Sequence, residues 1–204
     1  MSGTLFIISA PSGGGKTSLI TALVEEMPNL VISLSYTTRV ARPGEIDGVH
    51  YQFVSQETYD ALVAQNAFLE TAEVFGHDYG TSRDWVKRHL QQGFDVLLEI
   101  DWQGAAQIKK QFANESCSIF ILPPSLAALE SRLRVRKQDT NEVIQARMEK
   151  ATAEMVHYSE YDYVVVNEDF HNARRDLKSI VTAERLKCAR QQERHQAMLT
   201  QLLS

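Results

Sequence analysis

At 204 residues, 44% of them apolar and 23% charged, the chain has the size and balance of one globular domain that buries its own core. Its formal net charge of −5 excludes an overall basic field that would gather nucleic acid, so any polyanion has to be met by a local cluster of Arg and Lys. The two cysteines, Cys117 in an apolar run and Cys188 on a charged helical stretch, form neither a C-x-x-C nor a metal-ligand spacing, which excludes a disulfide framework or structural zinc and suits a reducing compartment.

Met1-Ser2-Gly3-Thr4 carries no basic leader, and the apolar run that follows is far too short for a membrane span. No other window comes nearer, so a soluble cytoplasmic protein is expected, with no membrane and no nucleic acid among its partners. That first run, Leu5-Phe6-Ile7-Ile8, is continuous and partly β-branched, the pattern of a central parallel strand covered on both faces. A Gly-rich turn from Ala10 to Gly15 follows, then a helix from Lys16 to Glu26 that Met27-Pro28 stops. Val31 to Leu34 reads as a second strand. From Tyr36 to Thr81 the texture changes: short β-like pieces, Tyr51 to Val54 and Phe68 to Phe75, surround one helix from Gln56 to Gln65, as in a small inserted subdomain. Strand and helix then alternate again: a strand at Val96 to Leu98, a helix from Gln103, a strand at Ile119 to Leu122 stopped by Pro123-Pro124, and a helix from Ser125. Tyr163 to Val166 is a last strand. Phe170, Ala173, Leu177, Ile180 and Val181 recur at amphipathic helical spacing, and a long charged helix is expected beyond Ala183. Strands separated by helices imply a parallel α/β sheet.

The segment Ser9-Ala10-Pro11-Ser12-Gly13-Gly14-Gly15-Lys16-Thr17-Ser18 follows a predicted strand and opens a predicted helix, the context that a phosphate-binding P-loop needs. Its glycines let backbone N–H groups converge on a phosphate, and the helix N-terminus adds partial positive charge. Lys16 would reach the β- and γ-phosphates of a nucleotide, and the Thr17 hydroxyl would hold Mg²⁺ directly. Ala10 stands where the strict motif has its first glycine. The competing reading is a Gly-rich turn with an exposed lysine.

A P-loop says only that a nucleotide binds. In Ser35-Tyr36-Thr37-Thr38-Arg39-Val40-Ala41-Arg42-Pro43-Gly44-Glu45, two arginines three apart sit beside Pro-Gly, and on a loop they can converge on one phosphate with paired N–H donors. On these residues alone a solvated basic loop is the alternative. Taken with His50-Tyr51-Gln52-Phe53, Phe68-Leu69-Glu70, Tyr79-Gly80-Thr81-Ser82, Ile100-Asp101-Trp102-Gln103-Gly104 and Ile121-Leu122-Pro123-Pro124-Ser125, in that order, the chain resembles the guanylate kinase family over nearly its full length.

The resemblance implies one α/β domain: a P-loop NTPase-type parallel sheet with flanking helices (core 1–34, 82–125 and 160–204), an inserted mixed α/β GMP-binding subdomain (35–81) and a helical lid (about 126–159). It implies ATP on Ala10 through Ser18 with Arg132 and Arg136. It implies a GMP phosphate clamp of Arg39, Arg42, Tyr51 and Tyr79, guanine readers Ser35, Glu70 and Thr81, and a further GMP contact at Asp101. Lys16, Arg39, Arg136 and Arg147 would be the catalytic set. The chemistry agrees, because guanine presents a ring N–H and an amino group as adjacent donors that one Glu70 carboxylate can accept from, and a hydroxyl can donate to its carbonyl oxygen. Adenine lacks both donors, and a buried carboxylate left unpaired costs ~1–3 kcal/mol. The chain departs from the family at His77-Asp78, where Asn-Tyr is more usual, and at Glu99-Ile100-Asp101, where Asp-x-Asp is more usual. Glu99, at a strand end, would meet the metal through water.

Ser131 to Lys137 carries four cations, and Asp139 reads as a helix N-cap with Glu142 three residues on. Arg132 and Arg136 fall on one helical face, Arg134 and Lys137 are expected to be solvated, and the whole basic hairpin suits a lid over phosphates. A nucleoside monophosphate has a second pKa near ~6, so its attacking oxygen is largely ionised and no general base is required. The expected reaction is ATP plus GMP giving ADP plus GDP in purine nucleotide recycling, with Mg²⁺, and with dGMP tolerance and homo-oligomer formation left open. A relative acting on a sugar phosphate would not keep Ser35, Glu70 and Thr81 together, and a guanylate-kinase-like scaffold module without turnover would have a degraded P-loop.

Overall fold

Leu5–Ser9, β1, is buried at every position, as a strand must be when helices cover both faces of its sheet. The computed structural model describes residues 3–113, 115–135 and 140–204. After β1 come α1 (Lys16–Glu26), β2 (Leu30–Ile32), β3 (Ser35–Thr37), β4 (Gln52–Phe53), α2 (Gln56–Ala64), β5 (Phe68–Val74), β6 (His77–Ser82), α3 (Arg83–Gln91), β7 (Asp95–Glu99) and α4 (Trp102–Gln111). Then follow β8 (Ser116–Leu122), α5 (Leu126–Val135), α6 (Asn141–Met155), a short 3-10 turn (Val156–Glu160), β9 (Tyr163–Val166), α7 (Phe170–Arg185), α8 (Cys188–Arg194) and α9 (Gln196–Leu203).

The main sheet has the order β2-β7-β1-β8-β9, all parallel. The period of two in β1 splits its side chains between two cores. Phe6 and Ile8 join Leu19, Ile20 and Leu23 of α1 with Leu177 and Val181 of α7, whereas Leu5 and Ile7 join Val86 and Leu90 of α3 with Ile108 of α4. Each aliphatic side chain taken fully from water contributes about 1.5–3 kcal/mol, so this doubly covered strand is the densest source of stability. At the edge, Val164 and Val166 of β9 stay half exposed.

A second sheet, order β4-β3-β6-β5, is built from residues 35–82. Here β3 pairs with β6 antiparallel, so Ser35 faces Thr81 and Thr37 faces Tyr79. The β5–β6 ladder shifts register between Phe68 and Thr71, an irregularity that re-aims the intervening Leu69 and Glu70. Buried Cys117 and exposed Cys188 are both free thiols. No described helix is long and apolar enough to cross a membrane.

Most elements start or stop within a few residues of expectation, and the differences have local causes. Val31 to Leu34 was expected as a strand, but β2 ends at Ile32, and Ser33 then donates its N–H to the Leu97 carbonyl as the chain turns toward β3. α3 is a mostly charged stretch, Arg83-Asp84-Trp85-Val86-Lys87-Arg88-His89-Leu90, with a narrow apolar face: Ser82 Oγ accepts the Trp85 N–H at its start, and Val86 and Leu90, four apart, are buried. α6 is capped by Thr140, which accepts from the Val143 N–H; the expected cap, Asp139, lies outside the described residues. The C-terminal stretch is three helices, α7, α8 and α9, broken after Arg185 and at His195, instead of one long helix.

Asp95 closes the N-terminal rim of the main sheet. Its Oδ1 accepts the Thr4 N–H at 2.7 Å and its Oδ2 accepts Arg185 Nε at 2.6 Å, joining β7, the start of β1 and the end of α7. Asp95→Ala strands a buried N–H and a half-buried guanidinium, so we expect a loss of about 2–3 kcal/mol in urea unfolding. Asp95→Asn, which keeps an acceptor for Thr4, should lose less.

Candidate active site

The loop between β1 and α1 lies at the C-terminal rim of the main sheet. Gly13 and Gly15 adopt φ of 87° and 88°, which side chains rarely take. A Cβ on Gly15 would also stand 2.5 Å from Asn167 Nδ2. Ala10 has no positive φ, which explains why alanine serves where the strict motif has glycine. The loop is pinned from the far strand end: Asn167, just past β9, donates from Nδ2 to the Gly14 carbonyl at 2.9 Å. Arg132 of α5 donates to the Asn167 carbonyl at 2.8 Å, and its Nη1 is buried with no hydrogen-bond partner among the described residues.

The open side of the loop already attracts acids. The Ser12 N–H donates to Glu154 Oε2 of α6 at 3.3 Å, and burial holds that carboxyl above its usual range, although Lys150 and the Ser12 amide oppose the shift. The Thr17 hydroxyl donates to Glu99 Oε1 at 2.6 Å. Lys16 Nζ donates to the Ile100 carbonyl at 3.3 Å, and Ser9 Oγ to the same oxygen at 2.9 Å. Thr17 and Glu99 are hard oxygen donors, the type Mg²⁺ prefers, and a Mg²⁺ ion takes few protein ligands because phosphate and water complete its shell. Among the described residues no three His, Cys, Asp or Glu cluster to hold a metal by themselves.

Across the cleft, β3 leads into Arg39, a residue only 9% exposed. Glu45 accepts from its Nη1 and Nη2 at 2.9 Å each, the fork geometry a phosphate would also accept. Arg39 Nε donates to Tyr79 Oη at 3.3 Å, and the guanidinium lies over the Tyr51 and Phe53 rings. The Glu45 hydrogen bonds raise the Arg39 pKa further despite burial. Burial alone would raise Glu45, but Arg39 and the Arg42 N–H outweigh it and hold that carboxyl below its usual range. Burial pushes the Tyr51 hydroxyl up to about 12, so it remains a neutral donor at pH 7.

Deeper in the second sheet, Thr81 Oγ1 donates to Glu70 Oε1 at 2.6 Å, and Ser35 sits opposite Thr81 in the ladder. Glu70 is 3% exposed. Its other oxygen fits only because residue 104 is glycine, whose added Cβ would come within 2.4 Å of Oε2. Burial, seconded by the Asp101 charge, raises the Glu70 carboxyl to about 7 although the Thr81 hydroxyl opposes the shift. Asp101 itself caps α4, accepting the Gly104 N–H at 3.0 Å and Gln103 Nε2 at 3.1 Å.

One cleft therefore brings together Ala10 through Ser18, Ser35, Arg39, Arg42, Tyr51, Glu70, Tyr79, Glu99 and Asp101. Thr81 reaches it through Glu70. Arg132 and Arg147 are not among its described lining residues: Arg132 braces Asn167, and Arg147 lies over the Phe75 ring with 6.0 Å to the centroid. Arg136 lies outside the described residues, as does Lys137. Arg134, expected to be solvated, is exposed and pairs with Glu130. Sequence reasoning did not single out Asn167, Gly104, Glu45 or Glu154. Glu45 and Gly104 at least stand inside quoted motifs, whereas Glu154 is an ordinary helix acid until α6 is laid over the loop.

Residues 2–184 match the family model described as guanylate kinase. A relative named guanylate kinase from Shewanella denitrificans is 56% identical over 203 residues, covering 99% of this chain and 98% of that protein. One of the same name from Vibrio parahaemolyticus is 55% identical over 204 residues with the same coverage. Among solved structures, the guanylate kinase from Anaplasma phagocytophilum superposes with a TM-score of 0.79 at 36% identity, covering 92% of this chain and 89% of that one.

Glu70 makes stability depend on pH. Its folded pKa of about 7 lies above the ordinary 4.5, so between those values the unfolded chain gives up a proton that the folded chain keeps. The contribution is complete below about pH 4.5 and is lost as pH rises through 7, amounting to roughly 3 kcal/mol. Urea titrations between pH 4.5 and 8 should show this slope in the wild type and its removal in Glu70→Gln.

Proposed function

The chain belongs to the guanylate kinase family and is an enzyme that phosphorylates GMP, and from that premise we propose that ATP is the phosphoryl donor, in the purine nucleotide metabolism of a reducing cytoplasm. The observation that carries the reading is the single cleft in which a P-loop faces a deep Ser35–Glu70–Thr81 pocket, with Arg39 between them.

The triphosphate would lie along Ala10 to Ser18, where the Ser12 N–H already meets a carboxylate oxygen. Lys16 would exchange its Ile100 carbonyl partner for a phosphate oxygen. Arg132, which braces Asn167 behind the loop, would have to turn toward the cleft to meet the donor nucleotide. Thr17 and Glu99 would hold Mg²⁺, which supplies charge neutralisation on the transferring phosphates. GMP would place its base against Glu70, whose ionised form can accept two adjacent N–H donors, with Ser35 and Thr81 beside it. Its phosphate would meet Arg39, Arg42, Tyr51 and Tyr79. Glu45 then orients the Arg39 fork from the other side, and Asp101 holds the α4 N-terminus at the pocket's edge. The attacking oxygen needs no base, since a monophosphate is largely ionised at neutral pH. Catalysis is positioning and charge stabilisation by Lys16, Arg39 and the lid arginines Arg136 and Arg147, with closure of the lid region (about 126–159) over the acceptor subdomain (35–81) excluding water.

A coupled assay with ATP and each of GMP, dGMP, AMP and a ribose phosphate tests the reading. GMP should be preferred, and EDTA should abolish turnover. Lys16→Met and Arg39→Ala should each lower kcat/KM about 10²–10³-fold with an unchanged circular dichroism spectrum. Undiminished GMP-dependent ADP production by either variant would refute their assignment. Glu70→Gln, which replaces one acceptor oxygen with a donor, should cost about 10–100-fold with GMP and far less with AMP.

A further inference from the structure

Phe75 stands at the tip of the β5–β6 hairpin in a conformation that a bulky residue rarely holds, φ 54°, while the next residue, Gly76, is also left-handed at φ 73°. The two-residue turn between paired Val74 and His77 takes left-handed backbone at both positions, so the hairpin sets the conformation and glycine or asparagine would suit position 75 better. A phenylalanine stands there instead, with its ring 52% exposed. What the ring reaches is α6. Lys150 Nζ lies 3.8 Å from its centroid and the Arg147 guanidinium 6.0 Å, and Phe75 also lines the cleft. Arg147, Lys150 and Glu154 recur on one face of α6, so that face touches the acceptor sheet through Phe75 at one end and the P-loop through Glu154 and Ser12 at the other. Two cations three residues apart repel one another; an aromatic face between them and the neighbouring sheet offsets that repulsion and fixes their direction.

We propose that Phe75 is a positioning residue for phosphoryl transfer: its ring holds the Arg147 and Lys150 face of α6 against the acceptor sheet, so that Arg147 is aimed at the transferring phosphoryl group. The inference rests on the role given to Arg147 above. It differs from a core-packing role because the ring is half exposed. Phe75 thereby links the sheet that receives the acceptor to the helix that reaches the donor loop.

The test is steady-state kinetics with ATP and GMP on Phe75→Gly, Phe75→Leu, Phe75→Tyr, Arg147→Ala and the double variant Phe75→Gly/Arg147→Ala. Glycine suits the left-handed backbone, so its thermal midpoint should hold or rise; leucine keeps apolar bulk without the ring, in case glycine loosens the hairpin. Both should lower kcat about five- to tenfold with the KM for GMP changed by less than about twofold, and Phe75→Tyr should recover most of kcat. In the double variant the loss should equal that of Arg147→Ala alone, because the ring acts through that arginine. Full kcat in Phe75→Gly and Phe75→Leu, or losses that multiply in the double variant while Arg147→Ala is impaired, would overturn the inference and leave the Arg147 assignment standing. Full kcat in Arg147→Ala would remove that assignment and the inference with it.

Discussion

The parallel ladders that hold β1 between β7 and β8 bring their C-terminal ends to one rim. The P-loop leaves β1 there, Glu99 ends the neighbouring β7, and Asn167 follows β9, two strands from β1 on the other side. Every donor-side contact depends on that alignment. Thr17 meets Glu99 because Ile8 is in register with Glu99 on the neighbouring strand. Asn167 reaches Gly14 because β8 and β9 keep step up to Leu122 and Val166. Burial of the two cores on either side of β1 keeps those ladders from slipping, since a shift of one residue would turn Phe6 and Ile8 to the wrong face.

The cleft is also an arrangement of acids opposite donors. Arg39 is met by Glu45, the Ser12 amide by Glu154, and the Thr17 hydroxyl by Glu99. Each donor is thereby kept in geometry without an anionic ligand, which spares the cost of leaving a half-buried N–H or guanidinium unmatched. Glu70 differs: it is buried with Thr81 as its hydrogen-bonding neighbour, and its carboxyl is held near neutrality. That environment favours a ligand whose N–H groups stabilise the charged form. An acidic protein can therefore bind phosphates, because its net charge of −5 says nothing of a cleft where arginine, lysine and loop amides converge.

Much of the site was legible before the fold. Ser9 to Ser18 has the strand, glycines, lysine and threonine of a phosphate loop in an unbroken stretch, so local chemistry suffices to read it. Arg39, Arg42, Glu70, Tyr79 and Thr81 were legible because their motifs recur in order. What was not legible came from contacts between distant segments. Asn167 is separated from Gly14 by 153 positions and Glu154 from Ser12 by 142, and neither carries a pattern that announces the contact. α3 escaped notice because its narrow apolar face lies within a run of charged residues, and the β3–β6 pairing because β3 is short and both strands are polar.

The sequence by itself determined the Gly-rich turn between a buried strand and a helix, the alternation that makes a parallel α/β sheet, and the residue types that the second sheet brings to the cleft, since each of these is a local or ordered pattern. Only the tertiary structure decided which carboxylates stand against which donors, that Gly104 makes room for Glu70, and that Phe75 meets the cations of α6. The physical reason is that register, burial and close approach belong to pairs of segments and not to either segment alone. Burial in particular is what turns Glu70 from an ordinary acid into one titrating near neutral pH.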